Sequence, residues 1–181
     1  MEGGGRRSYT NAAAPLTGLG LDFGFITPET FPLPSLHGRL RAVSEDIHNV
    51  RGFAVLRGIP VDRYDRRENV AIFAGLSSHV GRQRARQDHN FDGKPAAVVI
   101  SHITDLRSAQ SGKAVIGSPA YTNDAQAFHN DSGDVIALYM IEECAKGGES
   151  LLASSWRVYN ELARERPDLI RTLAGDWPVD R

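Results

Sequence analysis

Ala127-Phe128-His129-Asn130-Asp131-Ser132-Gly133-Asp134, followed without a break by the apolar run Val135 to Ile141, is the stretch on which the reading of this chain turns. On extended backbone, side chains two residues apart project to the same side, because successive residues alternate between faces. The imidazole of His129 and the carboxylate of Asp131 then face one point and can grip one metal ion. Two such ligands are part of the arrangement of two histidines and one carboxylate that holds ferrous iron and leaves positions open for oxygen chemistry. A His-x-Asp pair is short enough to arise by chance, so its neighbours must decide its meaning. Val135, Ala137, Tyr139 and Ile141 on one face and Ile136, Leu138 and Met140 on the other are all apolar, which predicts a strand covered on both sides.

Downstream, Gly147-Gly148 reads as a tight turn into Glu149-Ser150-Leu151-Leu152-Ala153. This is a hairpin-like reversal that carries Ser150 back towards the metal pair. Ser154 or Ser155 caps a helix with Trp156, Tyr159, Leu162 and Ala163 on one face, read as core, and Pro167 suits the first turn of another helix that ends at Gly175. Upstream, residues 16–34 read as an irregular arm. Ser35 offers an N-cap to a helix striped by Leu36, Leu40, Val43 and Ile47, which Gly52 stops in the left-handed region. Phe53 to Arg57 reads as a buried strand closed by the turn Gly58-Ile59-Pro60. Asp65 and Glu68 have the spacing of a capping box before a stripe of Asn69, Phe73, Leu76 and Val80, with Gly81 as the stop. Gln87 to Lys94 reads as turn chemistry, Ala96 to Ile100 as an internal strand, and Leu106 to Asp124 as a long surface loop.

Composition narrows the class. With 41% hydrophobic and 24% charged residues in 181, the chain is in the range of one globular domain. A formal charge of −1 with both signs interspersed gives no electrostatic case for nucleic acid or an anionic membrane surface. The basic cluster Arg82-Gln83-Arg84-Ala85-Arg86 reads as a solvated loop or an anion contact. One cysteine, Cys144, cannot form an internal disulfide and has no adjacent histidine, so a reducing, cytoplasmic setting is expected and a nucleophilic role is not. Residues 1–15 read as a flexible tail without the apolar core of a signal peptide, and no stretch has the length of a membrane span.

The pieces and their order resemble the taurine dioxygenase (TauD/TfdA-like) family of iron(II)- and 2-oxoglutarate-dependent oxygenases. The resemblance rests on Gly52-Phe53-Ala54-Val55-Leu56-Arg57-Gly58, then Asn123-Asp124 shortly before Phe128-His129-Asn130-Asp131. An apolar strand, Gly147-Gly148-Glu149-Ser150 and a helix with Tyr159 and Leu162 complete it. It implies a mixed α+β fold, an α/β chain whose double-stranded β-helix (jelly-roll) core is incomplete and flanked by helices, with a domain over 16–181. It also implies that His129 and Asp131 ligate Fe(2+) as the catalytic centre, and that Ser150 helps hold 2-oxoglutarate. Asn123 reads as a contact to a small-molecule substrate or as a turn residue. With O2, 2-oxoglutarate would be decarboxylated to succinate while a substrate C–H bond is oxidised. The family completes its site with a later histidine and an arginine, and no histidine follows His129 here. The expectation is therefore the N-terminal part of an oxygenase, truncated on its C-terminal side and impaired as such. A non-catalytic jelly-roll ligand-binding or interaction module is the alternative, and a zinc hydrolase using the same pair a third reading. His79, His89 and His102 read as structural or exposed rather than as a third ligand.

Overall fold

The computed structural model describes residues 23–178 apart from 86, 92–93, 108–120 and 132, with the side chains of 87–98 also left aside. They fall into two compact units, one of residues up to Arg82 together with 137–181 and the other of Gln83–Ile136.

In the first unit, helix α1 (His37–Glu45) packs against helix α2 (Arg66–Val80). Their shared core is Leu36 and Leu40 against Ala71, Ile72, Ala74 and Leu76, closed by Ile26, Phe31 and Leu33 from the preceding turns. The α2 start is the expected capping box: Asp65 accepts from the Glu68 N–H at 2.8 Å, and Glu68 accepts from the Asp65 N–H at 2.9 Å. Two donors that the helix cannot satisfy internally are thereby paired. The α1 start differs from expectation, because its N-cap is Leu36, without a side-chain cap, rather than Ser35. A wider turn over Asp46–Val50 prolongs α1, and Gly52, at φ 81°, ends it in the left-handed conformation that favours glycine.

Three buried polar groups tie this module together. Ser44 Oγ donates to the Val80 carbonyl at 3.0 Å, linking the middle of α1 to the end of α2. His79 Nε2 donates to the Phe31 carbonyl at 2.9 Å, and His37 meets its ring edge-on at 5.8 Å. Asn69 is only 2% exposed. Its amide group donates to the carbonyls of Val61, Tyr64 and Asp65 at 3.0–3.1 Å, and its Oδ1 accepts from Tyr139 Oη at 2.9 Å. Tyr139 also stacks on Phe73 at 5.4 Å, so residue 139 is held by both a ring contact and a hydrogen bond.

Later in the same unit, helices α3 (Ser155–Glu165) and α4 (Pro167–Leu173) pack on each other. Ser154 caps α3 by accepting from the Arg157 N–H at 3.3 Å, and proline opens α4 as expected. The α3 stripe is not core here: Trp156 is 55% and Tyr159 52% exposed. The helix is amphipathic, but its apolar side has no cover among the described residues.

The second unit carries one antiparallel hairpin, β1 (Gln87–Phe91) with β2 (Lys94–Val98), in the register Gln87↔Val98 to Phe91↔Lys94. Gln87 to Lys94 is thus a strand and its connection rather than turn chemistry alone. Ala96 to Val98 does lie in a strand, as expected. Residues 53–57, 135–141 and 149–153 do not enter a ladder among the described residues, and Leu138 and Met140 are 69% and 61% exposed rather than covered. The reason is physical: alternation defines the faces of a strand but supplies no hydrogen-bonding neighbour, and a ladder needs one. Gly147 and Gly148 do turn the chain, at φ 72° and 80°.

Candidate metal centre

His129 and Asp131 lie in the second unit, outside any strand, and both side chains are about half exposed. They nevertheless share a side. His129 Nε2 stands 3.9 Å from Asp131 Oδ1, too far for a hydrogen bond. His129 Nδ1 lies 2.8 Å from the Ala127 carbonyl. A carbonyl oxygen can only accept, so Nδ1 carries a proton, and in the neutral imidazole Nε2, on the side of the carboxylate, is then the nitrogen with the lone pair. This is the tautomer that a metal-binding imidazole needs, with its second nitrogen held by a backbone acceptor.

Neighbouring ligands on one first-row divalent ion, at bonds of about 2.0–2.2 Å, would stand about 3.0–3.5 Å from each other. At 3.9 Å the pair is wider than that and would have to close on an ion, a small movement for two half-exposed side chains. The donor types suit such an ion as two ligands of a set. Among the described residues no cluster of three His, Cys, Asp or Glu side chains is present.

The other expected site residues are placed as follows. Asn123 is exposed in a bend of the same unit, beside a turn in which Thr122 Oγ1 accepts from the Asp124 N–H at 3.1 Å. Ser150 is exposed and belongs to the first unit. His79 is a buried structural histidine and His102 is exposed, while the side chain of His89 is outside the described residues. Cys144 is a free, exposed thiol.

A charged pair precedes the metal motif in the same unit. Arg107 donates from Nε to Asp105 Oδ1 at 2.9 Å and from Nη2 to Oδ2 at 2.6 Å, and its backbone N–H adds a third bond at 3.0 Å. These bonds hold the Asp105 carboxyl down at about 2. Neither this pair nor the Ala127 anchor was visible in the sequence. The first is a short-range ion pair among many possible ones, and the second uses a backbone carbonyl that any residue carries.

Comparison with known proteins shows the family of the chain. The family model for "Taurine catabolism dioxygenase TauD, TfdA family" matches residues 12–178, and the chain belongs to that family. Among curated relatives it is 38% identical to the taurine hydroxylase-like protein SAT17 of Stachybotrys chartarum over 161 residues, 89% of this chain and 41% of that protein. It is 24% identical to FR-33289 synthase of Streptomyces rubellomurinus over 174 residues, 94% of this chain and 48% of that protein. The chain thus spans less than half the length of either relative. No solved structure matches it. Among the described residues no helix is long and apolar enough to cross a membrane.

Proposed function

We propose that this chain contributes the first two metal ligands of an iron(II)- and 2-oxoglutarate-dependent dioxygenase that oxidises a C–H bond of a small molecule. The observation that carries the reading is Nε2 of His129 on the same side as Asp131 Oδ1, 3.9 Å away, within a chain of this family. The names of the two relatives, a hydroxylase-like protein and a synthase, are compatible with that chemistry. For the complete polypeptide we propose a jelly-roll core and a cytoplasmic location.

When bound, iron with 2-oxoglutarate supplies the oxygen chemistry, which lies beyond any side chain's own reach. The protein's part is orientation. The Ala127 carbonyl fixes the His129 tautomer and ring direction, and Asp131 adds the negative charge that a divalent ion requires. The Ser150 hydroxyl is the candidate donor to a 2-oxoglutarate carboxylate, and Asn123 the candidate contact to substrate.

The test is metal and cosubstrate binding with turnover, on this chain and on a longer polypeptide carrying it. We expect ferrous iron plus 2-oxoglutarate to raise the melting temperature, since a ligand that prefers the folded state stabilises it. His129→Ala and Asp131→Ala are expected to lose that shift and to abolish succinate formation. Undiminished succinate from Asp131→Ala overturns the assignment, and an unchanged melting temperature in both polypeptides favours the non-catalytic module.

A further inference from the structure

The first unit carries a cavity of about 280 Å³ lined by Val50, Arg51, Phe53, Ser154, Trp156, Arg157 and Asn160. Its shape depends on Gly52. A Cβ at that position would lie 3.1 Å from Trp156 Cδ1 and 3.2 Å from Ser154 Oγ, so the backbone there approaches the start of α3 more closely than another residue allows.

The two guanidinium groups are held in place. Arg51 donates from Nε to both oxygens of Asp46, at 3.1 and 3.0 Å, and from Nη2 to Oδ2, which raises its affinity for its proton. Arg157 Nη2 is 2.5 Å from Glu161 Oε1. Arg51 thus engages its Nε–Nη2 edge with Asp46 and Arg157 engages Nη2 with Glu161, while both side chains stay largely exposed, at 65% and 77%. Because both charges are already balanced, the cavity recognises an anion by oriented N–H groups rather than by net field. The indole of Trp156, the ring of Phe53 and Val50 add flat apolar surface, which an inorganic ion leaves unused.

We infer that this cavity binds a small aromatic carboxylate, its anionic head on Arg51 and Arg157 and its ring against Trp156 and Phe53. The volume is just below the usual range for small-molecule sites, about 300–1,000 Å³, so a single-ring acid is the size that fits. It shares no residue with the set proposed to hold iron and 2-oxoglutarate.

The experiment uses the full chain with Trp177→Phe, which leaves Trp156 as the sole indole reporter. Benzoate is titrated against tryptophan fluorescence, with benzamide, inorganic phosphate and 2-oxoglutarate in parallel. Saturable quenching by benzoate is expected, at least fivefold tighter than by benzamide or phosphate. Arg157→Gln, at an exposed position that cannot unfold the chain, is expected to weaken it at least fivefold, and Arg51→Gln likewise. No saturation by benzoate, equal binding of benzamide, tighter binding of 2-oxoglutarate, or undiminished affinity in Arg157→Gln each overturns the proposal.

Discussion

Replacing Gly75 by alanine sets two opposed effects against each other in the middle of α2. Helix propensity favours alanine by about 1 kcal/mol. Packing opposes it, because a Cβ at residue 75 would lie 2.5 Å from Phe31 Cγ and 2.6 Å from Cε1. Phe31 is 0% exposed and its carbonyl is tied to His79, so the ring cannot swing aside without disturbing the core. Overpacking of this kind costs about 1–3 kcal/mol, and the net expectation is a loss of up to about 2 kcal/mol. Gly38 in α1 is the control: a Cβ there meets nothing within 4 Å. Gly38→Ala should therefore stabilise by up to about 1 kcal/mol. Urea denaturation followed by far-ultraviolet circular dichroism reads both, with a shift in midpoint at constant slope. Adding Phe31→Leu to Gly75→Ala should recover part of the loss, as expected for two residues in contact. Equal stabilisation by Gly75→Ala and Gly38→Ala would refute the packing argument.

Asn69→Ala should cost about 2–3 kcal/mol, since it strands buried groups that its amide now serves, whereas Tyr139→Phe removes one bond and should cost about 1 kcal/mol. A double-mutant cycle on the two, read by chemical denaturation, should show coupling, and strict additivity would exclude their bond. The Asp105 carboxyl should titrate near 2, moving back towards 4 in Arg107→Gln, as followed by carbon-detected NMR. Because its folded value is depressed, its contribution to stability is present above the ordinary carboxylate range and is lost as pH falls from about 4 through about 2. Gly148→Ala should destabilise the turn by about 1–2 kcal/mol, since φ is 80° and a Cβ would sit 2.6 Å from Cys144 Sγ. Thermal melting checks this, and a neutral effect would mean the turn relaxes freely.

The helices were legible because their signals are local. Asp65 and Glu68 predict a start, Ser154 predicts another, and Pro167 a third, each through a donor or a fixed φ a few residues away. The start of the first helix was misread by one residue because Ser35 offers a plausible cap that the chain does not take. Strands were less legible, since Phe53–Arg57 and Val135–Ile141 show their apolar faces but not their neighbours, and pairing is a property of two segments. The hairpin at residues 87–98 was passed over. At the candidate site, period-two spacing anticipated the shared side of His129 and Asp131, while the proton on Nδ1 depended on a backbone oxygen that no side-chain pattern announces. Asn69 was counted in a hydrophobic stripe. An amide at such a position was the available hint that a polar hub lies beneath it.

That hub has a temporal side. The bond from Tyr139 Oη to Asn69 Oδ1 joins positions 70 apart in the chain. A nascent chain that has emerged only as far as α2 already holds everything needed for the capping box and the Phe31 core, yet must wait until Tyr139 has been added before the last acceptor of Asn69 is filled. Closing so wide a loop adds entropy cost only slowly with length. The natural order of events is therefore an early helical pair, with the segment that follows the His-x-Asp motif docking onto it as a late, separable step.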